Sequence, residues 1–173
     1  MKRYRFSPIF NESELFNAIR YVAYQCYGLC KKSFGYYFKT AGNLGIFCHD
    51  QNEYERLIKI RTQLTIESDN ILNKYYKLHT PIIIPAKDDI PQTEITYLYI
   101  RKPDDRHPQV GDLDFLLPKN EYDELKHQIR EGKKFGYARI FPRGDLDMIE
   151  ILDPRADAAA YIRTKDFEVI NRS

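Results

Sequence analysis

The residues that could do chemistry stand out first as two near-identical acidic stretches, Gly111-Asp112-Leu113-Asp114 and Gly144-Asp145-Leu146-Asp147. Alternation along an extended chain puts both carboxylates of each pair on one face. There they could hold a hard divalent cation while water or phosphate oxygens complete its shell. The same Asp-x-Asp spacing serves metal-dependent nucleotidyl transfer, but no Gly-Ser turn and helix of that kind precede either copy. An aspartate beside a glycine at a strand start also reads as turn chemistry, its carboxylate accepting from local amides. The candidate metal set is Asp112, Asp114 and Glu150 with His79. It defines one reading of the chain, a metal-dependent enzyme with an acidic cluster on a sheet.

A second set, Tyr97, Tyr99, Arg101 and Arg139, could build a polar-aromatic groove suited to a small anionic or planar ligand. It supports the leading reading, a domain that binds a small molecule or a protein partner on its sheet face. Other reactive residues are less coherent. His49, His79, His107 and His127 are the only imidazoles able to move a proton near neutral pH. His107 falls in a charged loop and His127 on the outer side of a predicted helix, so neither attracts a catalytic role. Cys26, Cys30, Cys48 and His49 lack the short-loop spacing of a zinc knuckle, and cysteines on a helix face act as small apolar filler. No Ser or Cys lies in a nucleophile motif.

The elements that must position these residues follow from periodicity and punctuation. Asn11 caps a helix with Glu14 as its reciprocal partner, and Leu15, Ile19, Val22, Cys26 and Cys30 recur at helical spacing to about Lys32. Residues 40–45 read as a glycine loop, and Ile46-Phe47-Cys48 as a short strand or a packed loop. Asp50 caps a second helix with Glu53 three residues on. Residues 74–79 are ambiguous, and Ile82-Ile83-Ile84 between two prolines reads as an edge-like extended segment. Glu94 to Arg101 is the strongest strand, with Thr96, Leu98 and Ile100 on one side and Tyr97, Tyr99 and Arg101 on the other.

After the first acidic pair, Asn120 is expected to cap a helix ending at Gly132. Strands then follow over 135–141, 146–152 and 158–163. The result is an α+β chain: N-terminal helices packed on a mostly antiparallel sheet, with a β-α-β-β-β C-terminal half. One domain over 1–173 is expected, helical through 1–80 and sheet-rich through 81–173. The flanks of the two acidic copies do not match, so the repetition marks two strand starts and not a duplicated unit.

From Asp112 to Arg163 the order strand, helix, strand, strand, strand, with Asp153-Pro154-Arg155-Ala156-Asp157 joining the last two strands, resembles one module of the vicinal oxygen chelate (glyoxalase and dioxygenase) superfamily. The resemblance implies a module whose Asp-Pro turn leads into a last strand bearing a metal-binding Glu. In this sequence that position falls at about Ala160, and the turn glycine is Ala156. It also implies that modules pair, within a chain or across a dimer. No second module is legible in the first half.

Composition bounds the rest. Apolar residues are 43% and charged residues 30% of the 173, as in ordinary globular chains. A net charge of +2 without a concentrated basic patch argues against nucleic acid, although the clusters near Lys31 and Lys133 leave that partner open. No apolar run approaches the roughly 18–20 residues a membrane helix needs. Three cysteines without framework spacing suit reduced thiols, and a cytoplasmic setting is expected.

Overall fold

Asn11 and Asp50 start the two N-terminal helices as their positions predict. In α1 (Glu12–Phe34) the Asn11 side chain accepts from the Glu14 amide at 2.9 Å, and Glu14 accepts in return from the Phe10 amide at 2.7 Å. In α2 (Gln51–Leu64) Asp50 accepts from the Glu53 amide at 2.8 Å. The Glu53 carboxylate is itself buried, accepting from the Ser7 hydroxyl, the Ile9 amide and the His49 amide at 2.6, 2.8 and 2.9 Å. It thereby ties the segment before α1 to the start of α2. Helix α1 ends at Gly35, whose positive φ of 83° suits glycine and whose amide donates to Lys31 O.

This computed structural model describes residues 6–67, 74–105, 107–143 and 146–164, so Gly144 and Asp145 of the second acidic copy lie outside the described residues. Among the described residues seven strands form one sheet: β1 (Lys39–Phe47), β2 (Tyr76–Ile84), β3 (Thr93–Arg101), β4 (Gly111–Leu116), β5 (Ala138–Arg143), β6 (Leu146–Ile151) and β7 (Ala158–Arg163). Their order is β2-β3-β1-β4-β7-β6-β5. Neighbours pair antiparallel except β1 with β3 and β4 with β7, which are parallel. The fold is α+β, with a mixed sheet.

Several elements depart from the sequence expectation for identifiable reasons. The expected glycine loop belongs to β1, because a pairing irregularity between Thr40 and Leu44 absorbs Gly42 at a φ of 79° and lets the strand continue. β2 runs through Pro81, which an edge strand with its own irregularity between Lys77 and Ile82 tolerates. Helix α3 (Lys119–Arg130) follows Pro118 at its cap position, with no side-chain capping bond. Asn120 therefore lies inside the helix and does not cap it.

The first eighty residues thus also supply β1 and the start of β2. The pairings divide the chain into two similar units, β1-α2-β2-β3 and β4-α3-β5-β6-β7. In each, the first strand runs parallel beside the last, and the two first strands meet antiparallel. The second unit is the order read from sequence, and the first is the partner that the sequence hid. The two Gly-Asp-Leu-Asp copies do not mark this duplication. Asp112 and Asp114 lie on β4, at the seam between units, whereas Asp147 lies on β6 and accepts from Lys126 Nζ of α3 at 2.6 Å.

Helix α1 packs on β7, β4 and β1, helix α2 on β3 and β2, and α3 beside β5. The face beneath them holds the core, with Leu15, Ile19, Leu44, Ile46, Leu98, Leu113, Phe115 and Ile149 fully buried. Each such large side chain contributes about 1.5–3 kcal/mol relative to exposure. Among the described residues no helix packs on the other sheet face, which receives the side chains that alternate with the buried ones. Because Asp50 caps and Asn120 does not, Asp50→Ala should cost about 1 kcal/mol. Asn120→Ala should stay within about 0.5 kcal/mol, both read from urea unfolding midpoints.

Candidate functional site

Alternation holds over the second half of β3, where Leu98 and Ile100 are buried under the helices and Tyr99 and Arg101 reach the open face. Nearer its start the buried residues are Thr93 and Ile95, so the pattern shifts by one residue before Leu98 and Thr96 is only half-buried. Register carries that face across the sheet, with Gly45 opposite Tyr99 and Phe47 opposite Arg101 on β1. Asp112 lies opposite Gly45, Tyr161 of β7 opposite Asp114, and Glu150 of β6 opposite Tyr161. The face is not flat. Tyr75, just before β2, packs its ring 5.6 Å from the Tyr99 ring and also 5.6 Å from the Arg163 guanidinium. One side chain thus touches residues from β3 and β7, with β1 and β4 between them.

Under this bridge lies a half-open cleft of about 290 Å3. Tyr75, Tyr99, Phe141, Met148 and Tyr161 give it apolar walls, Lys74, Arg101, Asp112, Asp114 and Arg163 give it charge, and the His107 imidazole adds a further polar group. Its floor depends on Gly45. A Cβ there would collide with Asp112 Oδ1, so the glycine makes room for that carboxylate.

The acidic residues share the face without gathering as a ligand cage. Asp114 is fully buried and forms an ion pair with Arg163, itself only 3% exposed. Glu150 accepts from Arg139 Nε at 2.6 Å and from the Tyr161 hydroxyl at 3.3 Å. Burial, then the charges of Asp112 and Glu150, push the Tyr161 phenol well above its ordinary range, so it remains a donor. His79 lies on β2 beside Arg61 and Tyr76, in a separate depression at the end of α2. Among the described residues, no group of three or more His, Cys, Asp or Glu side chains is placed to hold a metal ion. The three cysteines are buried and unbridged.

Of the expected groove residues, Tyr99 and Arg101 line the cleft. Tyr97 lies one pleat earlier on β3, and Arg139 lies on β5 against Glu150. Sequence reasoning sets His107 aside, yet its loop folds back so that the imidazole borders the cleft. Its Nδ1 lies 2.7 Å from Asp104 Oδ2, which also accepts from Arg101 Nη2 at 3.0 Å. The Arg101 guanidinium lies 4.8 Å over the Phe47 ring. Tyr161 and Arg163 escape sequence reasoning too, although a signal is present. Tyr99-Ile100-Arg101 recurs as Tyr161-Ile162-Arg163, at the ends of the last strands of the two units. That short repeat, unlike Gly-Asp-Leu-Asp, coincides with the structural duplication.

No family model matches this chain, and no curated protein does. Among solved structures, the structural-genomics protein EC4020 is similar over 100% of this chain and 97% of its own, at 14% identity and a TM-score of 0.54. That likeness shows the fold. Two structures of Streptomyces coelicolor methylmalonyl-CoA epimerase, each a single-substitution variant in complex with 2-nitronate-propionyl-CoA, are also found. They cover 74% of this chain and 98% of theirs, at 13% and 14% identity and a TM-score of 0.33. Superposition that partial carries no weight here.

Two substitutions probe the site's construction. Asp114→Ala would strand a buried guanidinium and should cost about 3–5 kcal/mol in urea unfolding. Gly45→Ala would crowd Asp112 and should cost about 1–3 kcal/mol, with helix content unchanged by circular dichroism.

Proposed function

We propose that this chain binds a small molecule in the cleft on the helix-free face of its sheet. The observation that carries this reading is the curvature closed by Tyr75, which turns a sheet face into a concave site with aromatic walls and convergent polar groups. Its volume, about 290 Å3, suits a compact ligand of metabolite size and not a peptide laid across the sheet. The tyrosine and phenylalanine rings favour a planar body, and the charged groups can orient donors and acceptors around it.

Asp114 and Glu150 each face a guanidinium, so their charge serves the protein's own arginines. Asp112, for which the floor glycine clears space, lines the cleft beside Asp114. The reading is tested by screening small planar fragments with amide-resolved NMR on the labelled protein. Hits should shift the amides of Tyr99, Asp112 and Tyr161, and Tyr75→Ala should weaken them by roughly 1 kcal/mol or more. Hits that map consistently to the helix face or to the His79 depression would overturn it. A partner that perturbs the whole open face at once would point to a protein instead.

A further inference from the structure

The two Tyr-Ile-Arg copies reach the open face in equivalent strands, yet their arginines meet different partners. Arg163 is buried against Asp114, a residue of the adjoining strand that lies opposite Tyr161 in register. The residue that stands to Tyr99 as Asp114 stands to Tyr161 is Gly45. Glycine offers no carboxylate, so the sheet floor leaves the corresponding charge of Arg101 unanswered at that place. Arg101 is instead met from above, by Asp104 in the loop after β3.

That contact has the geometry of carboxylate recognition. Arg101 Nη2, His107 Nδ1 and Asp104 Oδ2 meet within hydrogen-bond distance of one another: the oxygen lies 3.0 Å from Nη2 and 2.7 Å from Nδ1, and the two nitrogens lie 2.9 Å apart. The Phe47 ring beneath fixes the plane of the guanidinium, and the imidazole stands edge-on to the same ring with centroids 6.4 Å apart. All three polar side chains keep contact with solvent, at 24% exposure for Arg101, 22% for Asp104 and 34% for His107. Asp114, its counterpart across the seam, is 1% exposed. A solvent-accessible ion pair contributes little and is readily exchanged, whereas a buried pair is costly to break.

We propose that Arg101 and His107 form the anion-anchoring end of the cleft, and that Asp104 occupies it as an internal stand-in which the carboxylate of a small planar ligand displaces. This rests on the cleft being a binding site. Arg163, by contrast, is a structural arginine whose charge is neutralised within the floor. Recognition at Arg101 uses charge-assisted hydrogen bonds, with Tyr75 and Tyr99 receiving the flat part of the ligand.

The test uses benzoate and benzamide, two probes of one shape that differ in charge, titrated into the labelled full chain and followed by amide shifts. Benzoate should perturb Tyr99, Arg101 and His107 and bind roughly tenfold tighter than benzamide, a difference of about 1.4 kcal/mol. Arg101→Gln should remove that preference while the core amide pattern is kept. Asp104→Ala should tighten benzoate, because it removes the competitor, and leave benzamide unchanged. Equal binding of the two probes in the cleft, or weaker benzoate binding by Asp104→Ala, would overturn the anchor and leave the cleft reading standing. If neither probe perturbs any cleft residue at millimolar concentration, the anchor and the cleft reading both fall.

Discussion

The structure depends on how closely β1 and β4 approach along their antiparallel seam. Two glycines permit it: a Cβ on Gly111 would run into Gly45 O and stand 2.9 Å from Val22 of α1, and one on Gly45 would strike Asp112. Gly111 thus lets α1 settle onto the seam from one side, and Gly45 lets a carboxylate lie across it on the other. Leu44 and Leu113, the next pair in register after Gly45 and Asp112, are fully buried. This seam makes one seven-stranded sheet of two smaller units and places their last strands symmetrically to either side.

Electrostatics on the open face follows from that arrangement. Polar groups brought onto a sheet face need partners wherever water is excluded. At the centre, Asp114 and Arg163 meet this demand with each other, and at the margin Glu150 does so with Arg139 and Tyr161. Where the first unit has Gly45 in place of an aspartate, the partner comes from a loop. Duplication of the backbone without duplication of the charges makes one half of the cleft fixed and the other exchangeable. Among the described residues, no helix is long and apolar enough to cross a membrane.

Much of the local structure was legible. The capping side chains of Asn11 and Asp50, the stripe of α1, the alternation over the last residues of β3 and the limits of β7 all follow from short-range rules of spacing and hydrogen bonding. Less legible were the elements whose local signals conflict with their tertiary role. Glycines made β1 read as a loop, and Pro81 obscured β2, because irregular pairing accommodates both only once a neighbouring strand is present. Asn120 looked like a cap, but Pro118 already occupied that position.

The candidate site divided in the same way. Tyr99, Arg101, Asp112 and Asp114 could be assigned to one exposed side of their strands, since alternation needs no knowledge of partners. That Asp114 would be neutralised by Arg163, that His107 would fold back over Phe47, and that Tyr75 would span the face emerged with the packed chain. Residue order alone was enough to say which side chains alternate and where most helices begin, because those interactions act within a few residues. Which strands lie side by side was settled by the fold. Parallel pairing of β1 with β3 and of β4 with β7 joins segments far apart in the chain, and residue order carries no local mark of it.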